Sequence, residues 1–322
     1  MSAIEIIRTT DNKGVINPDT LKFVKSCYSL HKQLHPNLLN IDENQYIQLL
    51  QEICLDGHSH FCIILKSSDN SQRTLIGLCL YRYFNNTFNV IKFDVLDMFI
   101  IENERNRGYG TKLMTYLIDE AKKITAPSIV VQCNVDNTDA QRFFFRHNLR
   151  ITTFGFSARN LDTIENSQQS TVKIIKLTDD NTGVIPDSYN ELLLKAEPIH
   201  HQLRTMLKTR NEYIEQIKII CQTGPAHIAL ALIEDVVVGV TMYRMVLNMK
   251  HFKHFYCDDL VTDETKRGSG VGHVLMNHLK QEAKFYGADK FTLDSGCQRQ
   301  QAHRYYYKEG LVIDQFGFSL NF

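Results

Sequence analysis

Nothing in the 322 residues leans toward one sign of charge: 36 lysines and arginines stand against 36 aspartates and glutamates. A nucleic acid or an anionic membrane selects for a field of one sign, so neither is an expected partner. Long apolar runs are missing too. No stretch of about 18 apolar residues offers a membrane span, and the opening MSAIEIIRTTDNKG lacks the basic and then apolar segments of a secretory leader. The eight cysteines form no C-x-x-C pair, and several sit in apolar strand-like runs where a buried free thiol is the ordinary use. A reducing cytoplasm is expected, either the producing cell's or that of a host reached without a cleaved signal. No metal is expected. Two phosphate-binding signatures are absent as well. Without G-x-x-x-x-G-K-[ST] the chain is not expected to hydrolyse nucleoside triphosphates, and without G-x-G-x-x-G it is not expected to be a dinucleotide fold.

What is present is a repeat. The single shift that carries Gly108 onto Gly270 also carries GLCLYR (77–82) onto GVTMYR (239–244), Asp97 onto Asp259 and Arg105 onto Arg267. It brings Ala140 onto Ala302 and FGFS (154–157) onto FGFS (316–319). With small gaps the match extends upstream, where IIRTTDNKGVI (6–16) echoes IIKLTDDNTGVI (174–185) and HKQL (31–34) echoes HHQL (200–203). The chain is read as a tandem duplication, 1–160 and 171–322, joined by the polar stretch ARNLDTIENSQQST (158–171). Each copy carries apolar pattern enough for its own sheet and helices, so 171–322 is expected to fold alone.

Within a copy the pattern runs strand, helical region, several strands, helix, strand, helix, strand, which indicates an α/β (α+β) domain with a central sheet. The first helical region breaks at HPN (35–37), because proline disfavours helix in the residue before it. Leu113, Leu117 and Ala121 share one face of the helix over 108–123. The chemistry is expected at the strand-to-helix turn. RNRGYGTKLM (105–114) and RGSGVGHVLM (267–276) share R-x-x-G-x-G, and both follow an apolar strand and open an amphipathic helix. Glycines there free backbone N–H groups at a helix N-terminus, a seat for phosphate.

This turn, with the A-x-x-x-[YF] helix downstream, N-x-x-A at Asn137–Ala140 and LDSGCQRQQAHRYYYKEGL (293–311), resembles the GNAT superfamily of acyl-coenzyme A-dependent N-acetyltransferases. The resemblance covers both copies, and the layout is similar to tandem members such as mycothiol synthases and the VipF type of bacterial effector. It implies two tandem domains, each with a mixed, splayed sheet flanked by helices. The pantetheine arm of acetyl-coenzyme A would lie between the parting strands, with its pyrophosphate on the turn. The implied contacts are Met98, Phe99, Ile100, Arg105, Asn106, Arg107, Gly108, Tyr109, Gly110, Thr111 and Asn137 in the first copy. In the second they are Leu260, Val261, Thr262, Arg267, Gly268, Ser269, Gly270, Val271, Gly272 and His273.

The implied reaction is acetyl transfer to an amine of a protein, such as a lysine, of a peptide or of a small molecule. An attacking amine must lose a proton, and the departing thiolate gains from a donor. The family commonly places a tyrosine four residues after the helix alanine, which is Tyr306 in the second copy and Phe144 in the first. Asp258 lies at the spacing before Arg267 where some family members carry an acidic base, and the first copy has Leu96 there. Strand alternation points Asp258 and Asp259 to opposite faces, so Asp258 is the expected base and Asp259 a structural carboxylate. The second copy is therefore expected to be catalytic and the first degenerate. Two other readings remain: a non-catalytic coenzyme A-binding adaptor, or two active copies with different amines.

Overall fold

The computed structural model describes residues 4–55, 58–67, 72–87, 91–158, 161, 171–179, 182–223 and 226–322. Most of the expected linker lies outside the described residues. The first copy comprises β1 (Ile4–Arg8), α1 (Leu21–Leu34), α2 (Glu43–Cys54), β2 (Ser59–Ser67), β3 (Arg73–Asn85), β4 (Ile91–Ile100), α3 (Tyr109–Lys123), β5 (Ser128–Asn134), α4 (Thr138–Arg146) and β6 (Arg150–Ala158). The second repeats the order as β7 (Lys173–Lys176), α5 (Asn190–His201), α6 (Arg210–Thr223), β8 (Ala226–Ile233), β9 (Val236–Asn248), β10 (Phe252–Thr262), α7 (Val271–Phe285), β11 (Lys290–Gly296), α8 (Gln300–Lys308) and β12 (Leu311–Asn321). Helix α1 stops at Leu34, and Pro36 opens a short 3-10 turn after an extended His35. Helix α2 starts in a capping box, Asp42 accepting from the Gln45 N–H and Gln45 accepting in return from the Asp42 N–H. Leu113, Leu117 and Ala121 are fully buried along α3. Among the described residues no helix is long and apolar enough to cross a membrane.

One twelve-stranded mixed sheet runs through both copies in the order β1-β2-β3-β4-β5-β12-β6-β11-β10-β9-β8-β7. The last strands have changed places. β12, from the second copy, pairs antiparallel with β5 of the first, and β6, from the first, pairs antiparallel with β11 of the second. The two exchanged strands pair with each other so that Phe316 faces Phe154, its own repeat equivalent. Ladder irregularities on either side skip Asp314 and Thr152, again equivalent positions, so a local twofold passes between the two phenylalanines.

The exchange reaches both cores. Phe318 packs in the core formed by α3, β4 and β5 with Phe144, and Phe156 packs among Cys257, Met276, Leu293 and Tyr306. Both exchanged phenylalanines are fully buried, and burial of such a ring stabilises by about 1.5–3 kcal/mol. The expectation that 171–322 folds alone therefore meets an obstacle that the repeat pattern did not show: that segment lacks β6, which covers β11 and supplies Phe156.

A fragment of residues 148–322 retains β6 beside β11 and should unfold cooperatively on heating. The fragment 171–322 exposes the β11 edge and should show no cooperative transition or collect as aggregate. Calorimetric melting of the two fragments compares them directly.

Candidate active site

In both copies the central parallel pair comes apart midway. The β10–β11 ladder ends at Cys257↔Leu293 although β10 continues to Thr262, and the β4–β5 ladder ends at Val95↔Val131 although β4 continues to Ile100. Past those points the facing backbone groups have no strand partner, which leaves N–H donors along a wedge-shaped gap. In the second copy the gap widens into a cleft of about 760 Å³ whose walls include Leu260, Val261 and Thr262 on one side and Ala302, Tyr305 and Tyr306 on the other.

The glycine turn closes one end of this cleft. Gly268 and Gly270 adopt φ of +83° and +87°, and a Cβ on either would meet nothing within 4 Å, so the backbone itself fronts the open space. Helix α7 starts at Val271 without a side-chain cap, leaving its first N–H groups free for a ligand. Gly272 lies against Tyr305, where a Cβ would come into van der Waals contact with the ring at 3.4 Å. Lys266, Arg267 and Arg299 also line the cleft, and among the described residues its lining includes no carboxylate. Such a seat suits a polyanion. Of the other expected contacts, the Val271 side chain is in the core, Ser269 donates to the Lys266 carbonyl, and His273 lines the cleft while bonded to Glu309.

The first copy builds the same turn with Asn106 and Gly108 at φ of +61° and +78° and an uncapped α3. Asparagine tolerates the left-handed region where the second copy has glycine. Arg105 donates to the Ile100 carbonyl, Arg107 pairs with Glu104, and Thr111 bonds His147. Tyr109, Phe99 and Ile100 are buried, and Gly110 packs on Phe143. Asn137 caps α4. Asn137, Met98 and Phe144 line a smaller cavity of about 210 Å³ that reaches the second copy and whose lining does not include the turn.

The aromatic triplets separate as helix geometry requires. Tyr306 is buried against Phe156, 5.1 Å between ring centroids; it lines the cleft, and its hydroxyl has no partner among the described residues. Burial pushes this phenol well above its ordinary range, so it keeps its proton. Tyr305 donates to the Gly272 carbonyl at 2.6 Å, a contact the spacing argument missed, and Tyr307 is exposed. Phe144 occupies the place of Tyr306 in the first copy and packs on Phe318, just as Tyr306 packs on Phe156.

Asp258 departs from expectation, whereas Asp259 is the structural carboxylate expected. The β9–β10 register shifts between Cys257 and Asp259, so Asp258 is the extra residue of a bulge and simple alternation does not apply. Asp258 pairs with the buried Arg244 at 2.7 Å, and neither it nor Asp259 lines the cleft. The geometry therefore does not support Asp258 as the base. Asp259 anchors a buried chain: it accepts from His200 Nε2 at 3.0 Å and from Arg204, while the Tyr213 hydroxyl meets His200 Nδ1 at 2.9 Å. Arg204 also donates to the Asp258 carbonyl, tying the bulge to the chain beyond α5. Burial raises the Asp259 carboxyl, but Arg204 and His200 outweigh it and hold it well below the usual carboxylate range.

The first copy repeats this chain with one change. Tyr46 meets His31 Nδ1 at 2.9 Å, His31 Nε2 lies 3.4 Å from Asp97, and His35 takes the place of Arg204. Here too the β3–β4 register shifts, making Leu96 the bulged residue. None of these six histidine, arginine and tyrosine partners was singled out from the sequence. The echo of HKQLH in HHQLR was the available signal, and it reads as a chemical contrast only once both segments are seen to reach an aspartate.

Arg204→Met leaves the buried Asp259 with only His200 and should cost about 3–5 kcal/mol at neutral pH. The depressed carboxyl contributes stability that is present above its unfolded value of about 4 and is lost as pH falls below it. Wild type and variant should therefore converge in acid, which denaturant titrations at several pH values would show.

The acetyltransferase (GNAT) family model matches residues 24–148 and 191–311, once in each copy. Over 126 residues the chain is 28% identical to YhdJ, an uncharacterised N-acetyltransferase of Bacillus subtilis, covering 38% of this chain and 87% of that protein. Over 94 residues it is 31% identical to the aminoalkylphosphonate N-acetyltransferase of Salmonella typhimurium, covering 29% of this chain and 61% of that one. A tandem GNAT protein from the clavulanic acid biosynthesis pathway, solved without AcCoA, superposes with a TM-score of 0.61 at 9% identity, over 99% of this chain and 98% of that one. A GCN5-related glucosamine N-acetyltransferase region of a fungal multi-domain GH3 β-N-acetylglucosaminidase superposes with a TM-score of 0.59 at 12% identity, over 99% of this chain and 38% of that longer one. Likeness at these identities speaks for the fold alone.

Proposed function

The chain belongs to the acetyltransferase (GNAT) family, and on that premise we propose that both repeats bind acetyl-coenzyme A and that the second transfers the acetyl group to an amine by direct attack. The acceptor is an amine of a protein, a peptide or a small molecule. What carries the reading is Tyr306, a lining residue of the cleft whose hydroxyl has no partner among the described residues, where the first copy has Phe144.

The residues present fit the donor. The uncapped start of α7 and the open glycine backbone seat phosphate oxygens, and Lys266, Arg267 and Arg299 offset their charge. Acetyl-coenzyme A supplies the activated acetyl thioester. N–H groups of β10 past Cys257, where its ladder with β11 has ended, would stabilise a developing oxyanion. Tyr306, kept protonated by burial, donates toward the leaving sulfur. With no carboxylate in the cleft lining among the described residues, the amine proton is taken to leave to water.

Tyr306→Phe should retain the fold and acetyl-coenzyme A affinity while turnover falls by roughly 10²–10⁴. Tyr305→Phe loses one hydrogen bond, worth about 0.5–1.5 kcal/mol of stability, and should keep its turnover. Thiol release with a panel of amines measures both. Absence of amine-dependent release from the wild-type protein would favour a coenzyme A-binding adaptor instead.

Calorimetry should find two acetyl-coenzyme A sites per chain. Gly270→Val forces a branched side chain into the left-handed region, a strain of at least about 1–2 kcal/mol, and should weaken the second site roughly tenfold or more while sparing the first. A wild-type stoichiometry of one sinks the reading for the first copy.

A further inference from the structure

The one chemical change between the two buried chains falls where it matters for proton transfer. Arg204 keeps its proton under all ordinary conditions and serves Asp259 as a cation and hydrogen-bond donor, never as a base. His35, its counterpart, donates from Nε2 to the Asp97 carboxylate, since a carboxylate can only accept. That bond fixes the tautomer and leaves Nδ1 as the basic nitrogen, with no partner among the described residues. His35 and Asp97 both line the 210 Å³ cavity, which also reaches Met98 at the parted strands and Phe144. An imidazole oriented by a buried carboxylate beside the wedge where an acyl group would lie is the arrangement of a general base and its orienting group.

The far wall of the same cavity comes from the second copy. Asp294 lines it, with Oδ2 held by Gln132 and Tyr256 at 2.7 and 3.0 Å. Asp294 makes no ion pair among the described residues and its Oδ1 is unclaimed there; Lys92, which lines the same cavity near enough to oppose the raising effect of burial on its carboxyl, is itself paired with Asp94 at 3.2 Å. At about 30 Å³ per liquid water, the cavity holds roughly seven waters' volume, which suits a small molecule rather than a folded protein.

We propose that the first repeat is a second acetyl-transfer site, completed by the other repeat, in which His35 is the general base and Asp97 its positioning residue, and that its acceptor is a small amine with a second positive charge, a diamine being the simplest. This rests on the reading that the first repeat binds acetyl-coenzyme A. The neutral amine nitrogen bonds to the acetyl carbon as the carbon–sulfur bond breaks. His35 Nδ1 takes the proton released from nitrogen and returns it to the departing thiolate, so atoms and charge balance without any further reagent. One imidazole serving as base and then acid accounts for a phenylalanine where the second repeat has Tyr306. Asp294 holds the ammonium that does not react.

The test uses the full chain carrying Tyr306→Phe, so that the second site is silenced, with acetyl-coenzyme A and a panel of diamines and matched monoamines. Thiol release should persist with diamines and fall on the order of 10²-fold when His35→Gln is added. Glutamine still donates to Asp97, so a merely structural role would be preserved. Added imidazole should restore activity to His35→Ala, and Asp294→Asn should raise KM for diamines with little change in kcat. Calorimetric stoichiometry is measured on each variant. One bound acetyl-coenzyme A per chain defeats the binding reading itself. Two bound, with no diamine-dependent release or with release indifferent to His35→Gln, overturns the present proposal while leaving that reading intact.

Discussion

Everything in this molecule is arranged around the antiparallel contact between β6 and β12. Because each copy contributes its last strand to the other's half of the sheet, neither core closes on its own sequence. The ring beneath Tyr306 is Phe156, from the first copy, and the ring beneath Phe144 is Phe318, from the second. The position of a proton donor in one half is thus fixed by packing supplied by the other. A duplicated chain joined in this way is free to let its halves diverge chemically while neither can be lost.

The divergence is visible in two buried carboxylates. Asp97 and Asp259 are repeat equivalents, both buried, and both held below the ordinary carboxylate range against the opposing effect of burial. A buried charge needs a cation or donors, and the two copies meet that need differently, one with two imidazoles and one with an imidazole and a guanidinium. The guanidinium also ties the bulge at Asp258, where β10 leaves β11. Stability and site geometry in the second copy therefore share one set of bonds.

Much of the architecture was legible in the sequence. The repeat, the element order, the break at Pro36 and the glycine turns follow from periodicity, proline and positive-φ requirements. The strand exchange was not, for a physical reason: β6 and β12 both carry FGFS, so either strand satisfies either slot, and pattern alone cannot say which is used. At the site, Tyr306 could be placed because helix spacing is regular. The orientations of Asp258 and Asp259 could not, because a one-residue bulge breaks the alternation on which that inference depends. His200, Arg204 and Asp259 come together across a large separation in sequence that no local rule spans.

The exchanged strands also order events during synthesis. β5 emerges from the ribosome with its outer edge meant for β12, which follows only after the whole second copy has been made. At ordinary elongation rates that interval is on the order of 10–30 s, long compared with the folding time of the surrounding elements. Through that interval the first copy holds an unpaired edge strand, the kind of surface that pairs with whatever strand is near. The nascent β6, offered beside it, carries the same FGFS and would match that edge. The finished topology would then require β6 to give way, a late rearrangement that the duplication itself imposes.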